Sequence, residues 1–163
     1  GKRLWIVGLS PLGLNRVGWI KYLLATSISL IISIPMIWIS SNMLQLPLAQ
    51  KIFFCGSISV MALTLNGLAM GMGVMYPDLK EDNPSKIVSG FGGTFCLVVS
   101  FVYIGLAIIL LGIGSPFGSP WQIFGRTGEM QQLVYMGLFL IFSSFVGFGP
   151  LAYGLRRAKN FEH

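Results

Sequence analysis

Residues 91–114 read FGGTFCLVVSFVYIGLAIILLGIG and contain no Asp, Glu, Lys, Arg or His. A helix needs about 20 consecutive apolar residues to cross the hydrocarbon core of a bilayer, and this run is long enough. A charged side chain at the bilayer centre costs about 3 kcal/mol on insertion scales, so a lipid-facing helix is expected to lack charges. The stretch therefore predicts a transmembrane helix.

Three other stretches share this charge-free, apolar character: 22–40, 52–76 and 133–154. Of the 163 residues, 54% are hydrophobic and only 10% are charged, whereas a soluble domain carries about 25% charged residues. One such run could be a buried helix of a large soluble protein, but four runs in a chain of this length do not fit that alternative. The sequence predicts an all-α integral membrane bundle with four transmembrane helices, forming a single domain over residues 1–163.

An amphipathic segment is predicted ahead of the first span. Ser10 and Pro11 have the form of a helix N-cap followed by proline at the first helical position. Trp19 and Lys21 are typical of a helix at the level of the lipid headgroups. The chain begins with Gly1 and not with methionine, so we expect it to be the C-terminal part of a longer protein.

The basic residues are distributed unevenly between the two sides of the predicted bundle. The segments on one side hold nine of them: Lys2, Arg3, Arg16, Lys21, Lys80, Lys86, Arg156, Arg157 and Lys159. The other side holds Lys51 and Arg126. The positive-inside rule then predicts a multi-pass protein with cytoplasmic N- and C-termini. Because the basic residues flank apolar runs and form no continuous stripe, we expect the lipid bilayer as partner and no nucleic acid.

Span two carries two patterns of small residues. The first is a face of small or weakly polar side chains at alternating steps of four and three: Cys55, Ser59, Ala62, Asn66, Ala69 and Gly73. The second is a GxxxG pair, Gly67 and Gly71, on a neighbouring face; it is the weaker signal because the chain has 21 glycines. Both predict close helix packing. Asn66 either hydrogen-bonds to another helix or lines a polar pathway for a transported molecule, and the first reading is favoured.

The connection after span two is the part of the sequence that is densest in charge. It holds three of the five acidic residues, and its candidate site residues are Tyr76, Pro77, Asp78, Lys80, Glu81, Asp82, Asn83, Pro84 and Lys86. Asn83 and Pro84 again look like a helix cap and first turn. The residues alone allow two interpretations: an ordinary solvated turn, or a short charged segment that moves as a unit and transmits force between helices.

The stretch GMGVMYPDLKEDNPSKIVSGFGGT, residues 71–94, resembles the C-terminal part of a bacterial family of ATP-binding cassette (ABC) exporter permeases of the type-2 class. The positions that carry this resemblance are Gly73, Tyr76, Pro77, Asp78, Asp82, Asn83, Pro84, Ile87, Val88, Ser89, Gly90, Gly92 and Gly93. The approach to span one and the final Arg156-Arg157 are also similar to this family. Family permeases are much longer than this chain.

The resemblance implies a cell-membrane permease, in the inner membrane of a bacterium, that exports an unknown substrate. In that family a separate cassette ATPase binds ATP and Mg²⁺, so no cofactor is expected in this chain, and the 76–86 loop lies near the ATPase. Further permease helices or a second permease copy are expected partners. The alternative function is a non-transporting membrane scaffold or assembly subunit.

An enzyme is the third class considered, and the residues argue against it. The sequence has no GxxxxGK[ST] phosphate cradle and a single histidine, His163, at its last position. Asp78, Glu81 and Asp82 could form a Mg²⁺ cluster, but a solvated charged run is the better interpretation. We therefore expect no catalytic residues and no metal site in this chain.

Overall fold

The computed structural model describes residues 13–75, 90–115 and 129–159. Those stretches fold into helices α1 (Gly13–Met43), α2 (Leu48–Met75), α3 (Phe91–Gly114) and α4 (Glu129–Lys159), with no strand among them. The all-helical architecture is thus confirmed for the described part of the chain. The predicted amphipathic segment is described only from Gly13 onward, where it forms the beginning of α1.

The four helices are long and apolar enough to cross a membrane. Their candidate spans are Arg16–Met43, Leu48–Met75, Phe91–Gly114 and Leu133–Gly154. Helix α3 has the predicted bounds, whereas α1 and α4 begin earlier and end later than the predicted spans and α2 begins earlier. Hydropathy marks only the apolar part of a helix, while backbone hydrogen bonding continues the helix to its capping turn.

Helices α2 and α4 pack against each other most extensively and form the centre of the bundle. Helix α3 lies on one side of this pair and α1 on the other, and the described parts of α1 and α3 do not contact each other. Helix α1 contacts mainly α2 and α3 contacts mainly α4, so these two are the peripheral helices of the described bundle.

Few side chains are buried between the helices. The main cluster contains Tyr103, Ala107 and Phe139, and a smaller one joins Tyr22 of α1 to Leu151 of α4. Large apolar side chains point outward instead, as shown by Phe145, which is 79% exposed. Apolar surface costs about 25 cal/mol per Å² in water, so this distribution suits a hydrocarbon environment.

The turn between α1 and α2 is a Schellman motif. The N–H of Leu46 donates to the carbonyl of Ser41 (3.1 Å), and the N–H of Gln45 donates to that of Asn42 (3.0 Å). Gln45 occupies the left-handed position with φ 53°, where glycine is the usual residue. Helix α2 then begins after Pro47, whose carbonyl accepts from Gln50 and Lys51.

Replacing Gln45 with glycine is expected to stabilise the protein by about 0.5–1 kcal/mol, because glycine adopts positive φ without steric cost. The measurement is the free energy of unfolding in mixed micelles. Gln50→Gly is the matched control: it lies in the first turn of α2 and should destabilise by up to about 1 kcal/mol. If Gln45→Gly and Gln50→Gly lowered the free energy of unfolding by similar amounts, the assigned turn would be contradicted.

Candidate functional site

The closest helix contact in the bundle joins α2 to α4 through glycines. A Cβ atom at Gly67 would lie 2.7 Å from the carbonyl oxygen of Gly147. A Cβ atom at Gly71 would lie 2.6 Å from the carbonyl oxygen of Pro150 and 2.5 Å from the backbone nitrogen of Leu151. These are backbone atoms that cannot rotate away, so only glycine fits at both positions of α2.

The glycines of α4 complement those of α2. A Cβ atom at Gly147 would lie 2.9 Å from the Cα of Thr64, and one at Gly154 would lie 3.0 Å from the carbonyl oxygen of Gly71. The contact thus extends over about two turns of each helix. Small residues let helix backbones approach closely, which is how helices associate without a hydrophobic driving force.

A buried hydrogen-bond cluster joins α2, α3 and α4 beside this contact. The hydroxyls of Tyr103 and Ser143 lie 2.9 Å apart, and both side chains are 1% exposed. The hydroxyl of Thr64 donates to the carbonyl of Val60 (2.9 Å) and lies 3.3 Å from the carbonyl oxygen of Ser143. The Tyr103 ring also stacks on Phe142, with centroids 5.6 Å apart.

Neither Tyr103 nor Ser143 was among the site residues predicted from the sequence. A tyrosine hydroxyl buried in a membrane helix needs a hydrogen-bond partner. The position of Tyr103 in the interior of a charge-free run was therefore a sequence signal for a buried hydrogen bond. Its partner could not be identified, because Ser143 is one of several hydroxyl residues in the spans and lies 40 positions away.

The coupling between Tyr103 and Ser143 should be measurable in a double-mutant cycle. We expect Tyr103→Phe and Ser143→Ala to be coupled by about 0.6–1.7 kcal/mol, the range measured for such bonds in membranes. The readout is the free energy of unfolding of both single variants and the double variant. Tyr153→Phe serves as control because that side chain is 58% exposed. Additive effects of Tyr103→Phe and Ser143→Ala would exclude the bond.

Helix α1 is held to α2 by polar side chains. The amide nitrogen of Asn66 donates to the hydroxyl of Ser29 (3.1 Å) and to the carbonyl of Ala62 (2.9 Å). The hydroxyl of Tyr22 donates to the carbonyl of Leu63 (3.3 Å). Asn66 thus makes an interhelical hydrogen bond; the polar pathway proposed as its other role is not tested by this contact.

The predicted small-residue face of α2 is only partly used in helix contacts. Ser59 donates to the carbonyl of Cys55 on its own helix (2.7 Å). Ala69 and Gly73 are exposed, and a Cβ atom at Gly73 would meet nothing within 4 Å. The close approach uses Gly67 and Gly71 because α4 presents matching glycines there, a complementarity that the sequence of α2 alone does not contain.

The charged loop falls outside the described residues. Its nine candidate residues from Tyr76 to Lys86 all lie between the end of α2 and Gly90, so their predicted role in coupling remains a prediction. In the described ranges, no group of three or more His, Cys, Asp or Glu residues could hold a metal ion.

The outer face of α4 is open and almost entirely apolar, as expected of a helix surface that contacts lipid; it is formed by Leu140, Ile141, Ser144, Phe145, Phe148 and Gly149.

Comparison with known proteins places this glycine-packed bundle in a family. The family model described as "Putative ATP-binding cassette" matches residues 1–163, which is the whole chain. The chain belongs to this family. No curated protein and no solved structure matches it. The family description names the ATP-binding cassette, the ATPase-type part of an ABC system, and not the permease that the sequence resembles. The family match therefore shows an ABC-associated role, without deciding between ATPase and permease.

Proposed function

We propose that this chain is the membrane-spanning permease portion of an ABC exporter. The observation that carries the proposal is the coincidence of an ABC family match with four described helices that are long and apolar enough to cross a membrane. A cassette ATPase needs a phosphate cradle, and the 163 residues contain no GxxxxGK[ST] motif. ATP and Mg²⁺ would therefore be bound by a separate subunit, and this chain would not be an enzyme itself.

The helix contacts support a proposal for how α2, α3 and α4 would move. Helices α2 and α4 share a glycine contact without room for adjustment, and α3 is joined to them by the Tyr103–Ser143 bond. A force applied at the end of α2 would therefore move these three helices together. The charged loop follows α2 in the sequence, and in this proposal it is the segment on which the ATPase acts.

The proposed location is the inner membrane of a bacterial cell, with both termini and the 76–89 connection in the cytoplasm. The uneven distribution of basic residues supports this orientation. A cassette ATPase is cytoplasmic, so the coupling loop and the termini face the expected partner.

Photoaffinity labelling with an azido-ATP tests whether the chain itself binds nucleotide. We expect no label on the 17.8 kDa chain and a strong label on a co-purified subunit. Excess ATP should abolish that label, and excess AMP should not. Saturable, ATP-protected labelling of this chain would contradict the proposal and favour the ATPase role that the family description names.

A further inference from the structure

Basic residues of two helices meet at one end of the bundle. Tyr22 packs against Leu151, and these side chains are 4% and 2% exposed. Helix α1 begins at Gly13 and α4 ends at Lys159, so this contact fixes the beginning of α1 beside the end of α4. Five basic residues therefore share this end, which we call the basic end: Arg16, Lys21, Arg156, Arg157 and Lys159.

The described residues offer almost no negative charge to balance the basic end. Their single carboxylate belongs to Glu129, the first residue of α4. At a rise of 1.5 Å per residue it lies about 40 Å from Arg156 along the helix. The connection 76–89 contains three acidic and two basic residues, so it would offset only one charge. An excess of positive charge therefore remains at this end.

The basic end lies at the level of the lipid headgroups. Trp19 is 41% exposed and its ring meets that of Tyr22 edge-on, with centroids 5.8 Å apart. Such aromatic residues mark the membrane–water interface. Arg16 and Lys21 lie within one turn of Trp19 and are both exposed, so their side chains reach the phosphate groups at this depth.

We propose that the basic end binds anionic phospholipids in preference to zwitterionic ones. Each Lys or Arg near an anionic surface contributes a few-fold increase in affinity, and five such residues occupy the adjoining ends of two helices. The basic residues would recognise the phosphodiester of a lipid whose headgroup carries no positive charge to balance it. This inference requires that the chain lies in a membrane, and it does not depend on the proposed permease role.

Tryptophan quenching by brominated lipids tests the preference at the site itself. Trp5→Phe, Trp38→Phe and Trp121→Phe leave Trp19 as the only reporter in the full chain. In phosphatidylcholine vesicles with a small share of phosphatidylglycerol, bromine is placed on one lipid at a time. We expect phosphatidylglycerol at Trp19 to be enriched on the order of tenfold over its share in the vesicle. Arg16→Gln with Lys21→Gln should remove most of this enrichment, as should 1 M salt.

The opposite end of the bundle provides the control. Lys51 bonds to Asn42 near the end of α1, so Lys51→Gln in the same single-tryptophan protein removes a basic residue at that end. It should leave the enrichment at Trp19 unchanged. Equal quenching of Trp19 by both lipids, in a variant with native helix content, would overturn the proposal. Loss of enrichment with inorganic phosphate, but not with chloride at equal ionic strength, would assign the site to soluble phosphates and also overturn it.

Discussion

Replacing Gly71 with alanine is expected to destabilise the bundle by about 3 kcal/mol. The new methyl group would lie 2.5 Å from the backbone nitrogen of Leu151 and 2.6 Å from the carbonyl oxygen of Pro150. Neither atom can move without separating α2 from α4, so the strain falls at the upper end of the range for overpacked sites. The measurement is the free energy of unfolding in bicelles or mixed micelles.

Gly73→Ala is the matched control for this prediction. It makes the same change on the same helix, where the methyl group would meet nothing within 4 Å. Alanine has the higher helix propensity, so this variant should be up to about 1 kcal/mol more stable than the parent. Equal effects of the two substitutions would show that α2 and α4 do not cross at Gly71.

If the chain is the proposed permease, exchanging two charges of the 76–89 connection is expected to impair transport while membrane insertion stays intact. Asp82→Lys combined with Lys86→Glu keeps the net charge and the apolar spans, but it inverts the surface that the ATPase would contact. Where a loop side chain faces an opposite charge on the ATPase, the exchange would bring like charges together, which costs several kcal/mol of binding free energy. We expect transport in vesicles to fall below about a tenth of the parent rate, with unchanged amounts of protein in the membrane.

Arg126→Glu combined with Glu129→Lys provides a control at the opposite end of the bundle. It is also a charge exchange between near neighbours, because Arg126 precedes α4 by three positions and Glu129 is the first residue of α4, and it should leave transport near the parent level. If the Asp82/Lys86 variant transports normally and still assembles with its ATPase, the loop has no coupling role. If both exchanges abolish transport equally, the effect is not specific to the cytoplasmic side.

The sequence predicted the helices well because lipid imposes a simple rule on them. A charge-free run of sufficient length indicates a span, and helix α3, Phe91–Gly114, has the predicted bounds, while α4 extends beyond the predicted 133–154 at both ends. The ends of the first two helices were set instead by local backbone geometry. One such feature is the positive φ of Gln45, which hydropathy does not encode.

The contacts between helices were not predictable in the same way. Gly67 and Gly71 were ranked below the broader small-residue face because the pattern of one helix says nothing about its partner. The glycines at 147 and 154 decide which face of α2 packs closely. The bond between Tyr103 and Ser143 depends in the same way on how α3 and α4 are oriented about their axes, which hydropathy alone does not determine.

Purification from the source cell in mild detergent, through a tag after His163, tests the central claim most directly. The bound proteins are identified by mass spectrometry, and the complex is assayed for ATP hydrolysis. The permease account predicts a separate subunit with a Walker motif in near-stoichiometric amount, and hydrolysis that is lost when that subunit is removed. A chain that repeatedly purifies without an ATPase, even after crosslinking, would contradict the account and favour a membrane scaffold.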